Sequence, residues 1–139
     1  MVAPCSPTRS WRACGGSRRS GPGQVLLGVE AAGVGPWDRL LNDVGWDVGL
    51  RPAALGVEGA GRVLAVGADV GKFAVGDRVL AHEAPLPGGS GFGAERVLIT
   101  SAQAAACPHG VDPVLAGALP VNGLTGKALS SAQNSLLVA

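Results

Sequence analysis

The sequence predicts a mainly β domain, a small barrel or sandwich, and three observations carry that expectation. Apolar, β-branched runs recur at intervals of roughly ten to twenty residues, with turn signals between them. Glycine and proline are abundant, with Gly 23 and Pro 10 in 139 residues, which suits a turn-rich chain better than a helical one. Apart from a short helical turn at Pro36–Asp43, helical spacing begins only at Asp112. An apolar fraction of 47% is enough for one real core, but aromatics make up only 4% and Tyr is 0. Val, Leu and Ala must therefore fill the interior, and no tyrosine can act as a proton donor.

The elements follow in order. Gly23–Gly35 is an apolar run with β-branched residues, bounded by glycines, and reads as a strand. Pro36–Asp43 holds a short helical turn, with Pro at its start and Leu40 and Leu41 available to a core. The glycine- and proline-punctuated stretch that follows, residues 44–55, is loop. Leu55–Gly67 looks at first like a dinucleotide fingerprint. Gly59 and Gly61 supply its first two glycines, but Leu64 stands where the third belongs. Arg62–Gly67 is a short apolar run with β-branched Val63 and Val66 and a closing glycine, which reads as a strand and not a helix opening. A Gly76-Asp77 turn leads into a strand over Arg78–His82, a loop covers Ala84–Gly93, and Ala94–Thr100 is a strand with alternation at Val97 and Ile99. Asp112-Pro113 pairs an N-cap with Pro at the first helical position. Pro120 stops that helix or starts the next. Asn122–Ala132 forms a second helix weakened by Gly123 and Gly126, and Ser135–Ala139 reads as the start of a buried strand.

Charge and cysteine usage narrow the function classes. A net charge of +1 gives no basis for nucleic-acid binding. No run of about 20 apolar residues exists to span a membrane. Met1–Pro22 carries four arginines, no acid and no apolar periodicity, and reads as a disordered basic segment. It lacks the amphipathic pattern of a transit peptide, and the Arg18-Arg19 pair has no export-signal context. Cys5, Cys14 and Cys107 are scattered and odd in number. They read as free thiols in a reducing cytoplasm, with neither a disulfide framework nor a zinc knuckle.

Four motifs stand in order: VEAAGVGPWD (Val29–Asp38), LGVEGAGRVLAVGADVGKFAVGDRVLA (Leu55–Ala81), GGSGFGAERVLI (Gly88–Ile99) and DPVLAGALPVNGLTGKAL (Asp112–Leu129). Together they resemble the N-terminal, GroES-like domain of the medium-chain dehydrogenase/reductase superfamily, and its zinc-free quinone-oxidoreductase branch in particular. The resemblance covers about Gly23 to Ala139. It implies a GroES-like partly open barrel with short C-terminal helices, then the first strand of an absent Rossmann domain. The expected division is a basic segment over residues 1–22, a GroES-like substrate-side domain over 23–130 and the start of a truncated nucleotide-binding domain over 131–139. In this family the glycines of Leu55–Gly67 let strands and loops approach closely and do not hold phosphate.

The resemblance also bears on cofactors and site residues. Zinc-dependent members have Cys and His where this chain has Gly35 and Val57, and neither can ligate zinc. The four-Cys zinc lobe expected after Arg96 does not occur in the sequence either. The implied chemistry is zinc-free hydride transfer from NADPH, bound mainly by the absent domain, to a quinone or an α,β-unsaturated carbonyl. Asn122 and Thr125 match the segment that approaches the nicotinamide. Pro36, Trp37 and Asp38 match the segment lining the substrate cleft, and Phe92 follows a glycine loop that lines it too. Many members have Asn where Gly35 stands. Each residue has a structural alternative: packing for Trp37 and Phe92, helix capping for Thr125 and Asp38, a strand-end position for His82 beside its capacity to carry protons, and an acceptor role within the fold for Glu58. Cys107, before Pro108, reads as inert and buried.

The partner the resemblance implies is a small carbonyl or quinone, with no nucleic acid and no membrane, and with a homodimeric full-length form. Met1–Arg19 does not match the strand that opens the family, and Lys127–Ala139 is shorter than the usual passage into a Rossmann strand. The competing reading is a non-catalytic GroES-like binding module or an inactive gene fragment. An exposed apolar terminal strand would have no use in such a module. On the enzyme reading, the chain alone does not bind NADPH strongly, because the pyrophosphate site lies in the missing half.

Overall fold

A computed structural model of the chain describes residues 19–43, 54–82 and 91–136. Five strands form one antiparallel sheet: β1 (Gln24–Ala32), β2 (Glu58–Val66), β3 (Arg78–His82), β4 (Arg96–Thr100) and β5 (Ala104–Ala106). Their spatial order is β4-β1-β2-β3-β5, an open sheet with β4 and β5 at its edges. Three α-helices, α1 (Pro36–Asp43), α2 (Pro113–Gly117) and α3 (Leu119–Leu136), and a 3-10 turn over Ser101–Gln103 complete the described residues. The mainly β class and the partial GroES-like architecture expected from the sequence are what is observed.

One face of the sheet carries the core. Val25, Leu27, Val63, Val79, Val97 and Ile99 are at most 1% exposed, and Phe92 and Phe73 close over them. These positions alternate along their strands, so the period-2 side-chain pattern alone sends them to a common face. The register pairs Leu27 with Val63 and with Val97, which stacks three apolar side chains across three strands. Gly59 lies against the Phe92 ring, where a Cβ would collide with it. Gly61 sits with its Cα against the Gly28 carbonyl. Both glycines are strand residues of β2, and their work is close packing.

The opposite face is covered at one end by α2. Its Asp112 cap accepts from the backbone N–H of Val114 at 2.8 Å and of Leu115 at 3.4 Å, and Pro113 opens the helix. The contact surface is made of small residues: Gly117 sits on Ala31, and Ala60, the cross-strand partner of Ala31, is 1% exposed. Farther along the same face Arg62 and Arg78 are cross-strand partners, and Glu30 bridges them at 3.0 and 2.6 Å.

The structure departs from the sequence reading at the start of β2, Glu58 rather than Arg62, at the start of α3, Leu119 rather than Asn122, and in three further places. The strand β5 was not expected, since alanine has little β preference. Its backbone nonetheless pairs with Val79–Ala81, and tertiary pairing overrides propensity. The strand expected over Ala94–Thr100 begins at Arg96. The strand expected at Ser135–Ala139 is overturned for Ser135 and Leu136, which are the last residues of α3. Helix propagation through Lys127, Ala128, Leu129, Ala132 and Gln133, all good helix formers, carries the helix past the expected end. Residues 137–139 lie outside the described residues, as do residues 1–18 of the segment expected to be disordered and most of the two expected loops.

Candidate functional site

The site residues lie at the end of the sheet where β1 finishes, β2 begins, β3 finishes and α3 starts. The turn from β1 into α1 is held by Asp38. Its Oδ2 accepts from the Gly35 N–H at 2.8 Å, and its Oδ1 from the Gly56 N–H at 3.0 Å. The first bond reaches back to the residue before the helix, as the acid of a capping box does. The second ties the helix start to the segment leading into β2. Gly56 has φ +99, and a Cβ there would come within 2.9 Å of the Gly93 nitrogen, so glycine is required on both counts. Asp38 is 7% exposed, with each carboxylate oxygen engaged by a backbone amide.

Trp37 folds back over Gly35. A side chain at position 35 would occupy the space of the Cε2–Cζ2 edge of its indole. The ring as a whole is half-buried, but its Nε1 is buried with no hydrogen-bond partner. Pro36, at the first helical position, is exposed.

Glu58 is the hub. It is 2% exposed, and its Oε2 accepts from the Val121 N–H at 2.8 Å. Val121 is the third residue of α3, one of the positions whose amide has no partner inside the helix. A carboxylate there also suits the positive end of the helix dipole. The same side chain lies against Gly33, where a Cβ would fall 2.6 Å from its Cγ and Oε1. The Gly33 N–H donates to the Glu58 carbonyl at 3.1 Å. One residue therefore joins the β1–α1 turn to the first turn of α3. His82 is its cross-strand partner on β3, half-buried and with no hydrogen-bond or ion-pair partner among the described residues.

Asn122 and Thr125 lie on the exposed surface of α3. The Asn122 Nδ2 donates to the Ala118 carbonyl at 2.9 Å, which leaves its side-chain oxygen open. The Thr125 hydroxyl has no hydrogen-bond partner among the described residues. Phe92 is 1% exposed inside the core, on the other face of the sheet from Glu58. The structure thus brings Trp37, Asp38, Glu58, His82, Asn122 and Thr125 to one end of the molecule and places Phe92 beneath it. Among the described residues, no three His, Cys, Asp or Glu side chains gather as a metal site requires, and no helix is long and apolar enough to cross a membrane. The pairing of His82 with Glu58 is invisible in the sequence, where the two residues are far apart. Only the β2–β3 register reveals it.

Residues 21–109 match the alcohol dehydrogenase GroES-like domain. The chain belongs to this family. Its GroES-like domain is 34% identical over 105 residues to a quinone oxidoreductase of Pseudomonas aeruginosa, covering 76% of this chain and 31% of that protein. Among solved structures it is similar to a quinone oxidoreductase from Pseudomonas syringae pv. tomato, with a TM-score of 0.73, 32% identity, and coverage of 82% of this chain and 34% of the other. It is similar also to a mycobacterial protein solved in complex with NADPH, with a TM-score of 0.70, 28% identity, and coverage of 83% and 34%. The chain spans about a third of the length of these relatives, 31 to 34%.

Proposed function

We propose that this chain is the substrate-side domain of a zinc-independent, NADPH-dependent oxidoreductase that reduces quinones or α,β-unsaturated carbonyls. The observation that carries the reading is the Glu58 clamp. It fixes the first turn of α3, with the open Asn122 oxygen and the free Thr125 hydroxyl just beyond, to the turn that bears Trp37. Relatives named as quinone oxidoreductases and a neighbour solved with NADPH support the reaction class and the cofactor.

The residues present fit the nicotinamide end of the cofactor. The Asn122 oxygen can accept from a carboxamide and the Thr125 hydroxyl can donate to it. They do not supply a pyrophosphate site: Gly59 and Gly61 are strand residues, and the Val121 amide is already taken by Glu58. The bound nicotinamide would supply the hydride. This chain's residues would orient the acceptor, exclude water over the apolar end of the sheet, and stabilise the oxygen that gains charge. His82, the half-buried imidazole beside Glu58, is placed to move a proton at this edge. Zinc independence is supported by Gly35, whose side-chain space is filled by an indole, and by Val57, which has no donor atom.

Saturation-transfer NMR on the chain tests the reading with two probes, a quinone and reduced nicotinamide mononucleotide. Both should bind, and the nicotinamide ring protons should receive more magnetisation than the ribose phosphate. Absence of binding by either probe overturns the proposal.

A further inference from the structure

Trp37 Nε1 is the one buried side-chain polar atom among the described residues without a hydrogen-bond partner. A buried donor left unpaired is costly, and native structures keep few of them. The surroundings hold this one in place. Asp38, the next residue, binds the amides of both Gly35 and Gly56 and so fixes the first turn of α1. The indole edge that carries Nε1 fills the volume a side chain at position 35 would take. Only glycine at 35 allows the ring to lie there. The fold therefore preserves an arrangement in which ring carbons of the indole take the place of a side chain at this turn while the neighbouring N–H stays unsatisfied.

We infer that the Trp37 indole N–H is the donor that receives the carbonyl oxygen of the substrate. The inference rests on the proposed function and assigns its carbonyl-binding group. An indole nitrogen donates and cannot accept, so its partner must be an acceptor. A quinone or enone carbonyl is a neutral acceptor that suits an apolar setting. The desolvation of the N–H is already part of the folded state, so an arriving oxygen gains a hydrogen bond without that cost. The ring is half-buried on the first turn of α1, so the covered N–H belongs to a side chain that solvent already reaches in part. The same bond strengthens as charge builds on the oxygen during reduction, which makes Trp37 a positioning and polarising group as well as a wall.

The test is NMR on the full chain with its tryptophans labelled with nitrogen-15. The chain has 3 Trp, so three indole signals are expected, and Trp37→Phe identifies the one in question while keeping an aromatic ring. Duroquinone is the probe, since its four methyl groups prevent attack by thiols. Durene, the same ring skeleton without carbonyls, is the control. The expected result is a saturable downfield shift of the Trp37 signal with duroquinone and none with durene, and a dissociation constant raised about tenfold in Trp37→Phe. If duroquinone binds while the Trp37 signal stays still, or if Trp37→Phe binds equally well, this inference is overturned and the proposed function stands. If duroquinone does not bind at all, both fall. A water cross-peak on the Trp37 N–H that persists with the probe bound also overturns the inference, because a buried water then satisfies the donor. Should Trp37→Phe not fold, Trp11→Phe and Trp46→Phe identify the Trp37 signal by elimination, and the duroquinone and durene titrations of the native chain decide.

Discussion

Glu58 shows how much one side chain can carry here. Its carboxylate is out of solvent, accepts from the third amide of α3 and packs against Gly33. Glu58→Ala strands the Val121 N–H and opens a gap beside Gly33. The expected loss is about 2–3 kcal/mol, from an unsatisfied buried donor and a cavity. Glu58→Gln retains an acceptor oxygen of the same reach and should lose about 1 kcal/mol. Urea unfolding of the two variants measures both, and equal stability of Glu58→Ala and the native chain would contradict the clamp. Asp38 belongs to the same class of residue. The sequence offers it as a cleft residue or a helix acid, and both of its oxygens are engaged by backbone amides. Its share in the site is to hold Trp37.

At the level of elements, α2 reaches the sheet only because small residues meet there. A Cβ on Gly117 would come within 3.0 Å of both the Cβ and the carbonyl oxygen of Ala31. Gly117→Val therefore overpacks the α2–β1 contact and should destabilise the chain by about 1–3 kcal/mol, read as a lower thermal midpoint. The strand face beyond α2 is organised by charge. Hydrogen bonding to Arg78 above all, helped by the charges of Arg78 and Arg62, holds the Glu30 carboxyl below its ordinary value of 4.5, against burial, which raises it by more than either charge alone lowers it. A depressed folded-state value means the ion pairs contribute fully above about pH 5 and are lost as the pH falls through that lower value. Glu30→Gln should remove about 0.5–1 kcal/mol at neutral pH and flatten the acid limb of the stability curve. An unchanged slope between the native chain and Glu30→Gln would show that the network does not couple to folding.

The whole molecule is uneven. The sheet core is closed, whereas α3 is exposed at every position from Asn122 to Ser131, with Leu124 at 56% and Leu129 at 63%. A helical stretch with glycines at 123 and 126 and exposed side chains from Asn122 to Ser131 gains little beyond its own backbone bonds. Hydrogen exchange on the chain should therefore show amides of α3 beyond Val121 exchanging many-fold faster than those of β1 and β2. Equal protection would mean that α3 is covered in solution, by a second copy for instance, and sedimentation would then find a dimer. NADPH binding belongs to the same scale. With groups suited to the nicotinamide but no pyrophosphate cradle among the described residues, the chain should bind NADPH weakly. A micromolar dissociation constant by NADPH fluorescence would overturn that expectation.

The sequence by itself determined the strands β1, β2 and β3, the span of α1 to the residue, the capped start of α2 and the GroES-like resemblance. Each of these rests on local signals: apolar β-branched runs bounded by glycines, a glycine turn, proline at a helix start and an aspartate cap. It did not determine β5, whose alanines form a strand only because β3 offers an edge. It also missed the length of α3, where cooperative propagation outran the local weakness of two glycines. The candidate site was half legible. Trp37, Asn122 and Thr125 could be named from motif positions, but their relation could not. The meeting of Gly33, Glu58, His82 and Val121 depends on strand register and on a helix returning to the sheet, and these are long-range pairings that no short window of sequence contains. The unpaired indole N–H of Trp37 is likewise a product of tertiary structure. Which polar groups find partners is settled only when distant segments pack.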